Sequence, residues 1–133
     1  IDYFDQGPQD TIPDKWKTRK LYQHVKDFTL VRLTGEELFS LGKIFAEKLN
    51  FSVGEVSVVV PLLGFSIPDA PGGPFEDRKS DYEFVKGLRE NLRPDISIYE
   101  INAHINDYEF AKSVFDIFMS LLLKQNNEKG EKK

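Results

Sequence analysis

The run Val56–Val60, with the sequence VSVVV, leads directly into a long loop at Pro61–Asp77, with the sequence PLLGFSIPDAPGGPFED. This apolar run predicts a buried strand, and a structureless loop of this length in a small α/β domain is usually functional. Prolines fix φ along the loop, while Gly64, Gly72 and Gly73 permit backbone conformations that other residues avoid. The pattern therefore predicts a loop of one defined shape that forms the wall of a binding site.

Strands and helices alternate along the rest of the chain. Further strands are predicted at Phe28–Leu33, which is rich in β-formers, and at Ile96–Ile101, which alternates with period two. Three amphipathic helices are predicted after Thr34, Ser80 and Asn106, because each of these residues precedes a glutamate by three positions, as in a capping box. We therefore expect an α/β fold with a three-layer, mostly parallel, Rossmann-like sheet flanked by helices.

Length and composition indicate a single domain. A chain of 133 residues with 40% hydrophobic content can bury one core. We place this α/β domain at residues 1–123, with an extended arm at Ile1–Trp16. Residues 124–133 contain no apolar side chain and are expected to form a flexible charged tail.

Charge and hydropathy exclude several classes of partner. The net charge of -4 argues against a nucleic-acid binder or a protein that binds anionic membranes, and no apolar run approaches the roughly 20 residues that span a bilayer. The absence of cysteine fits a cytoplasmic protein and excludes thiolate metal sites. With His24 and His104 as the only histidines, we expect no histidine-rich metal centre. The chain opens at Ile1, and its one methionine is Met119, so we expect it to be part of a longer polypeptide.

Two loops leave the carboxyl ends of predicted strands, where ligands bind in open α/β sheets. One follows Val60, and the other is Asn102–Asp107, after Ile101. If the two strands are neighbours, the loops face each other across one cleft. We expect backbone donors and short polar side chains there to hold a small anionic or phosphorylated ligand. The candidate binding residues are Gly64, Ser66, Asp69, Gly72, Gly73 and Asn106, and the candidate catalytic residues are His104 and Asp107.

Each candidate also has a structural interpretation. His104 could act as a general acid or base, or it could tether its loop through hydrogen bonds. Asn106 and Asp107 could cap the last helix and complement its dipole. Asp69 could bind a ribose hydroxyl or a metal, or it could form a turn. The two adjacent glycines Gly72 and Gly73 could present donors to an anion, or could make a tight turn.

Several stronger motifs are absent from the sequence. It contains no phosphate-binding P-loop, no glycine-rich dinucleotide motif and no HExxH metal motif. Ser66, His104 and Asp107 could be written as a hydrolytic triad, but Ser66 lacks a Gly-x-Ser-x-Gly elbow. No reaction follows from the sequence.

The loop motifs together resemble one family. Gly64–Ser66, Asp69–Phe75 and His104–Asp107 closely resemble segments in the C-terminal half of the tomato mosaic virus resistance protein family. Upstream segments extend the resemblance over nearly the whole chain except the charged tail; they are Tyr3–Pro8, Ile12–Pro13, Arg19–His24 and Thr29–Thr34.

This resemblance implies a two-lobed protein of unassigned reaction. Plant members of the family inhibit viral replication, and many other members carry a nucleotide-binding label. The resemblance implies that ATP is possible as a cofactor, chiefly through an N-terminal lobe absent from this chain, which would itself be most of the second lobe. The missing lobe is then the expected partner. Self-association as a homo-oligomer is also expected, because sheet edges normally covered by that lobe are exposed.

Three functions remain open at this point. The chain could be the small-ligand-binding lobe of a nucleotide-associated protein. It could belong to an enzyme that acts on a small phosphorylated or acidic substrate, with His104 as acid or base. It could be a structural and dimerising lobe whose loops contact the other lobe.

Overall fold

The computed structural model describes residues 1–130 and the side chains of residues 1–124. Its strands and helices, in chain order, are β1 (Tyr3–Gln6), β2 (Leu21–Val25), β3 (Phe28–Arg32), α1 (Gly35–Asn50), β4 (Ser57–Pro61), α2 (Arg78–Asn91), β5 (Ser97–Ile101) and α3 (Tyr108–Gly130). Because residues 131–133 lie outside the described part, the flexible tail at 124–133 stays a prediction, although α3 continues through Gly130.

The first three strands form an antiparallel sheet in the order β1-β3-β2. Tyr3 pairs with Arg32, and Leu21 pairs with Val31 on the opposite side of β3. The prediction of a mostly parallel sheet therefore does not hold for the strand at Phe28, although the α/β class is confirmed. The hairpin of β2 and β3 escaped the sequence analysis because most β2 side chains are exposed and give no apolar pattern. Part of the predicted arm is β1.

The other sheet is parallel and consists of β4 and β5. The register runs from Ser57 opposite Ser97 to Pro61 opposite Ile101. These two strands are neighbours, as expected for sequential strands joined by a helical crossover. Because the described residues contribute only two strands to this sheet, the three-layer Rossmann-like arrangement stays a prediction.

The main hydrophobic core lies between α1, α2 and β4. Its buried members are Leu38, Ala46, Val60, Phe84, Val85 and Leu88. The helices α1 and α2 approach closely because glycines face each other at their crossing. A Cβ atom on Gly42 would lie 2.2 Å from the carbonyl oxygen of Phe84, and one on Gly87 would lie 2.2 Å from that of Phe39. Backbone therefore packs directly against backbone at this crossing.

The helix starts agree with the predicted caps in one case of three. Thr34 and Glu37 form the predicted capping box of α1. The cap of α2 is Asp77, whose carboxylate accepts a hydrogen bond from the N–H of Ser80 at 3.1 Å. Asp107 directly precedes α3, one residue beyond the predicted Asn106. Local patterns located each helix but not its first residue.

The helix α3 leaves much of its apolar surface open. Phe115 is 60% exposed and Phe118 is 58% exposed. Among the described helices, none combines the length and the hydropathy that a membrane crossing requires.

We expect Gly42→Ala to destabilise the fold by about 1 to 3 kcal/mol, because the added methyl group meets the backbone of α2 and forces the helices apart. The higher helix propensity of alanine offsets about 1 kcal/mol of this cost at most. Urea unfolding would measure the difference. Gly35→Ala is the matched control, since its Cβ would meet a flexible Glu83 side chain atom at 3.3 Å. A Gly42→Ala protein as stable as the control would contradict the close crossing.

Candidate functional site

The two loops that follow β4 and β5 converge, as the sequence predicted. The N–H of Leu63 donates to the carbonyl of Ala103 at 3.1 Å. The N–H of Ile105 donates to the carbonyl of Gly64 at 3.1 Å. Parallel pairing thus continues past the strands as contacts between the loops, and it brings most of the candidate residues into one region.

Gly64 sits at the closest approach of the loops. Its φ is +128°, a conformation that residues with a side chain rarely adopt. A Cβ atom here would lie 2.5 Å from the carbonyl oxygen of Asp69 and 2.9 Å from Cδ2 of His104. Glycine is therefore required at this position by both conformation and space.

His104 links the loops through both of its ring nitrogens. Its Nδ1 accepts a hydrogen bond from the N–H of Asn106 at 3.2 Å, so its Nε2 carries the proton and donates to the carbonyl of Ser66 at 2.8 Å. The residue is only 7% exposed. This bonding pattern occupies both nitrogens with backbone groups.

The residues of the possible triad are near one another but bond elsewhere. The hydroxyl of Ser66 donates to the carboxylate of Asp2 at 2.7 Å. Asp107 accepts a hydrogen bond from the backbone N–H of His104 at 2.8 Å and does not contact its ring nitrogens. The geometry has no serine, histidine and aspartate relay.

Asp69 is fully buried and fixes the shape of the first loop. One carboxylate oxygen accepts from the N–H of Phe65 at 2.9 Å. The other lies 3.5 Å from Nη2 of Arg32 and 3.3 Å from Nη1 of Arg78. Its carboxylate is therefore fully engaged by groups of the same chain.

Arg32 is the centre of this polar cluster and is 4% exposed. Its guanidinium donates to the carbonyl of Asp2 at 2.8 Å, to the carbonyl of Phe75 at 3.0 Å and to the carboxylate of Asp81. This role of Arg32 was not predicted from the sequence. The available signal was an arginine within an apolar strand, since a buried guanidinium needs several carboxylate or carbonyl partners.

The cluster brings several buried carboxylates close together. Three buried carboxylates, those of Asp2, Asp69 and Asp81, surround the two guanidinium groups of Arg32 and Arg78. Burial raises the pKa of Asp81 to about 7, and the neighbouring Asp69 carboxylate adds to the rise, while both arginines oppose it. The side chain of Asp81 therefore titrates near neutral pH.

The adjacent glycines form a closed turn. Gly72 has φ +80°, and its N–H donates to the carboxylate of Glu76 at 2.7 Å. The N–H of Gly73 donates to the carbonyl of Ala70 at 2.7 Å. Both donors thus have acceptors in the same turn.

These residues do not fit a nucleotide polyphosphate. A phosphate at the glycine turn would have to displace the carboxylate of Glu76 from Gly72. Within the described residues, no group of three or more His, Cys, Asp or Glu side chains could hold a metal ion. The sequence resemblance allows ATP as a cofactor, but these loops contain no site that fits its phosphates.

The outer surface of the converged loops carries three exposed large hydrophobic side chains. Ile67 is 77% exposed, Tyr108 is 75% exposed and Ile105 is 40% exposed. Asn106 is also exposed between them. The buried polar side chains shape this surface, and apolar side chains are presented on it.

Comparison with known proteins identifies a family over almost the entire chain. The model described as the C-terminal domain of Uncharacterised protein family (UPF0261) matches residues 1–122. A UPF0261 protein of Clostridium tetani is 38% identical over 112 residues, which are 84% of this chain and 28% of that protein. A UPF0261 protein of Rhizobium meliloti is 34% identical over 85% of this chain and 29% of that protein.

Tomato proteins also match. The ToMV resistance protein Tm-1(GCR237) of Solanum lycopersicum is 34% identical over 125 residues, which are 91% of this chain and 16% of that protein. The ToMV susceptible protein tm-1(GCR26) matches with the same identity over the same length. Identity in this region thus does not separate the two tomato proteins. The chain spans less than a third of the length of each of these relatives.

We expect the free energy of unfolding to fall as pH rises from 3.8 to about 7, because the folded state binds the Asp81 proton more tightly than the unfolded state does. At about 1.4 kcal/mol per pKa unit, the contribution is at most about 4 kcal/mol. Glu37 acts with the opposite sign at lower pH, because its bond to Arg19 lowers its pKa to about 2.

Urea unfolding of the wild type and Asp81→Asn at pH values from below 3.8 to above about 7 would test this expectation. The variant should gain stability relative to the wild type as pH rises. Asp95→Asn controls for the loss of one negative charge at an exposed position. Parallel stability curves for wild type and Asp81→Asn would contradict the assignment.

We expect Gly64→Ala to cost about 2 to 4 kcal/mol of stability, because it adds a positive-φ strain to a clash with the Asp69 carbonyl. Chemical denaturation would measure this cost. Gly54→Ala is the control, since no atom lies within 4 Å of its added Cβ. Equal stability of the two variants would show that the loops can separate at no cost.

Proposed function

The chain belongs to the uncharacterised protein family UPF0261, as part of its C-terminal domain, and we propose that it serves there as a non-catalytic assembly lobe. One observation carries this proposal. The polar side chains of Ser66, Asp69 and His104 at the carboxyl ends of β4 and β5 are engaged within the domain, whereas the large side chains of Ile67, Ile105 and Tyr108 are exposed there. A surface of this kind suits contact with another part of a protein.

The bonding of His104 supports a structural role for this residue. An acid or base must present a ring nitrogen to a substrate, and here both nitrogens bond to backbone groups. Asp107 supports the loop backbone and does not orient the imidazole ring. The enzymatic alternative therefore has no favourable geometry in the described residues.

A ligand-binding lobe is the second candidate, and one specific observation favours it. The two loops converge at the carboxyl ends of adjacent parallel strands, where small molecules bind in open α/β sheets. In this alternative the locked loops and Asn106 form a rigid wall for a small anionic ligand. The exposed carboxylates of Glu76, Asp107 and Glu109 at this surface weigh against an anion.

The proposal extends to the whole family protein. We infer a two-lobed, cytoplasmic protein in which an N-terminal lobe outside this chain is the partner. Any nucleotide, including ATP, is held chiefly by that lobe. The resemblance of the sequence motifs and the poor fit of the glycine turn to a phosphate support this division.

A comparison of the two histidines tests the proposal. His104→Ala should reduce the free energy of unfolding by about 2 to 4 kcal/mol, because it removes a buried ring and leaves two partly buried backbone groups without partners. His24→Ala, at an exposed position of β2, should change it little. Urea unfolding measures both variants.

A titration of the wild type separates the candidate functions. Inorganic phosphate and ATP at millimolar concentrations, followed by amide NMR shifts, should produce no saturable change at Ser66–Gly73 or at Asn106. Saturable shifts that Asn106→Ala weakens and Asn102→Ala leaves intact would overturn the assembly role in favour of ligand binding. Equal stability of the two histidine variants would also contradict the proposal.

A further inference from the structure

In the part of the chain that the structure describes, one edge of β4 has no strand beside it. β5 pairs along the other edge, and no further strand joins this sheet within the described residues. The N–H of Leu62 donates to the carbonyl of Ile101 at 2.9 Å, so the alternation of backbone groups points the N–H and C=O of Val59 away from β5. Hydrogen-bonding groups of β4 therefore face this open edge.

A cavity of about 500 Å³ runs along that edge, and we call it the β4 slot. The pair of helices α1 and α2 lines it with Phe45, Phe84 and Leu88, while α3 lines it with Phe110 and Val114. The open edge thus lies between two groups of helices. Of the side chains that line the slot, only that of Ser57 is polar.

These features match the needs of a strand better than those of a small molecule. The volume lies within the range of ligand pockets, but ligand pockets usually combine apolar walls with a few convergent polar side chains. Here the polar groups belong to the edge of a strand. Parallel sheets are normally covered by helices and buried on both faces, and sheets of two strands are marginally stable. A third strand would complete the sheet between helices that are already in position.

We propose that the β4 slot receives a parallel β-strand from the part of the family polypeptide that lies outside this chain. The relatives provide ample polypeptide for it, since the matched region covers 28% of the Clostridium tetani protein. Ile1 also lines the slot, so residues joined to it in a longer polypeptide would begin beside the open edge. The strand adds to the sheet by main-chain hydrogen bonds.

The slot defines the chemistry of this strand. It pairs with Ser57 and Val59 and does not extend to Pro61, which has no N–H to donate. Its length matches β4, or about five residues at about 3.3 Å per residue. Its side chains are apolar on both faces, because helices lie on both sides of the slot.

This inference goes beyond the proposed function and uses a different surface. The loop surface carries Ile67, Ile105 and Tyr108, whereas the slot depends on the edge of β4. Ile105 alone contributes to both. The experiments on His104 and on phosphate therefore neither support nor exclude the slot.

A synthetic strand tests the slot directly. The probe is the acetylated, amidated peptide Lys-Thr-Val-Ile-Val-Thr-Lys. Two control peptides carry N-methyl groups at alternate residues, one peptide along one edge of the strand and the other peptide along the opposite edge. The unmodified peptide should slow hydrogen exchange of the Val59 amide at least about tenfold. Methylation of the pairing edge should abolish this protection. Equal binding of all peptides would overturn the proposal, because it would indicate an apolar pocket without backbone pairing.

Two variants on α3 locate the binding. Val114→Lys puts a charge into the slot and should weaken peptide binding at least about tenfold, or by about 1.4 kcal/mol. Phe118→Lys changes a more exposed side chain of the same helix that does not line the slot, and should leave binding within about twofold. Equal effects of the two variants would place the peptide elsewhere and contradict the proposal.

A test of where the strand comes from requires a longer protein of the family. The full-length UPF0261 protein of Clostridium tetani should not bind the peptide, because its own strand fills the slot. Binding as tight as to this chain would overturn the intramolecular source. Sedimentation of this chain tests whether a second copy of the chain fills the slot instead. If the chain forms a dimer that Val114→Lys disrupts, and if the peptide cannot separate that dimer into monomers, the occupant is another copy and the proposal fails.

Discussion

The buried guanidinium of Arg32 connects four separate parts of the chain. It extends from β3 and bonds to the carbonyl of Asp2, to the loop at Asp69 and Phe75, and to Asp81 in α2. A charge removed from water costs several kcal/mol unless its partners are well placed. The long loop therefore has to close over β3 in one conformation. The rigid loop predicted from prolines and glycines owes its shape to this charge.

The two sheets are connected through α1 and α2, whose backbones are in direct contact. α1 follows the antiparallel sheet, and α2 precedes β5 of the parallel sheet, so the crossing at Gly42 and Gly87 sets their relative position. Arg19 strengthens the first connection through a bidentate bond to Glu37, at 2.6 and 2.8 Å. In the parallel sheet, one edge of β4 faces β5 and the other faces the slot.

The functional interpretation depends on which polar groups are hydrogen-bonded within the domain and which remain open. At the loops, side chains of the types that serve catalysis are used to hold backbone in place, as His104 and Asp69 illustrate. At the β4 slot, backbone groups and apolar side chains remain open. Both features favour a domain that assembles with further polypeptide, and the Clostridium tetani relative is more than three times as long as the region that it shares with this chain.

The sequence by itself determined the features that depend on neighbouring residues. An apolar run located β4, a period-two alternation located β5, the cap patterns located three helices, and the Thr34 capping box was identified correctly. The convergence of the two loops also followed, because adjacent parallel strands end on the same side of a sheet. These predictions need only local pattern and the handedness of the crossover.

Only the tertiary structure decided which groups the candidate residues contact. His104 bonds to Ser66, 38 positions away, and Arg32 bonds to Asp81, 49 positions away. The antiparallel pairing of β3 likewise depends on β1 and β2, whose side chains carry little apolar pattern. A hydrogen-bonding side chain reads the same in sequence whether it faces a ligand or a distant carbonyl of its own chain. The choice between the two depends on long-range packing, which brings such partners together only when the chain folds.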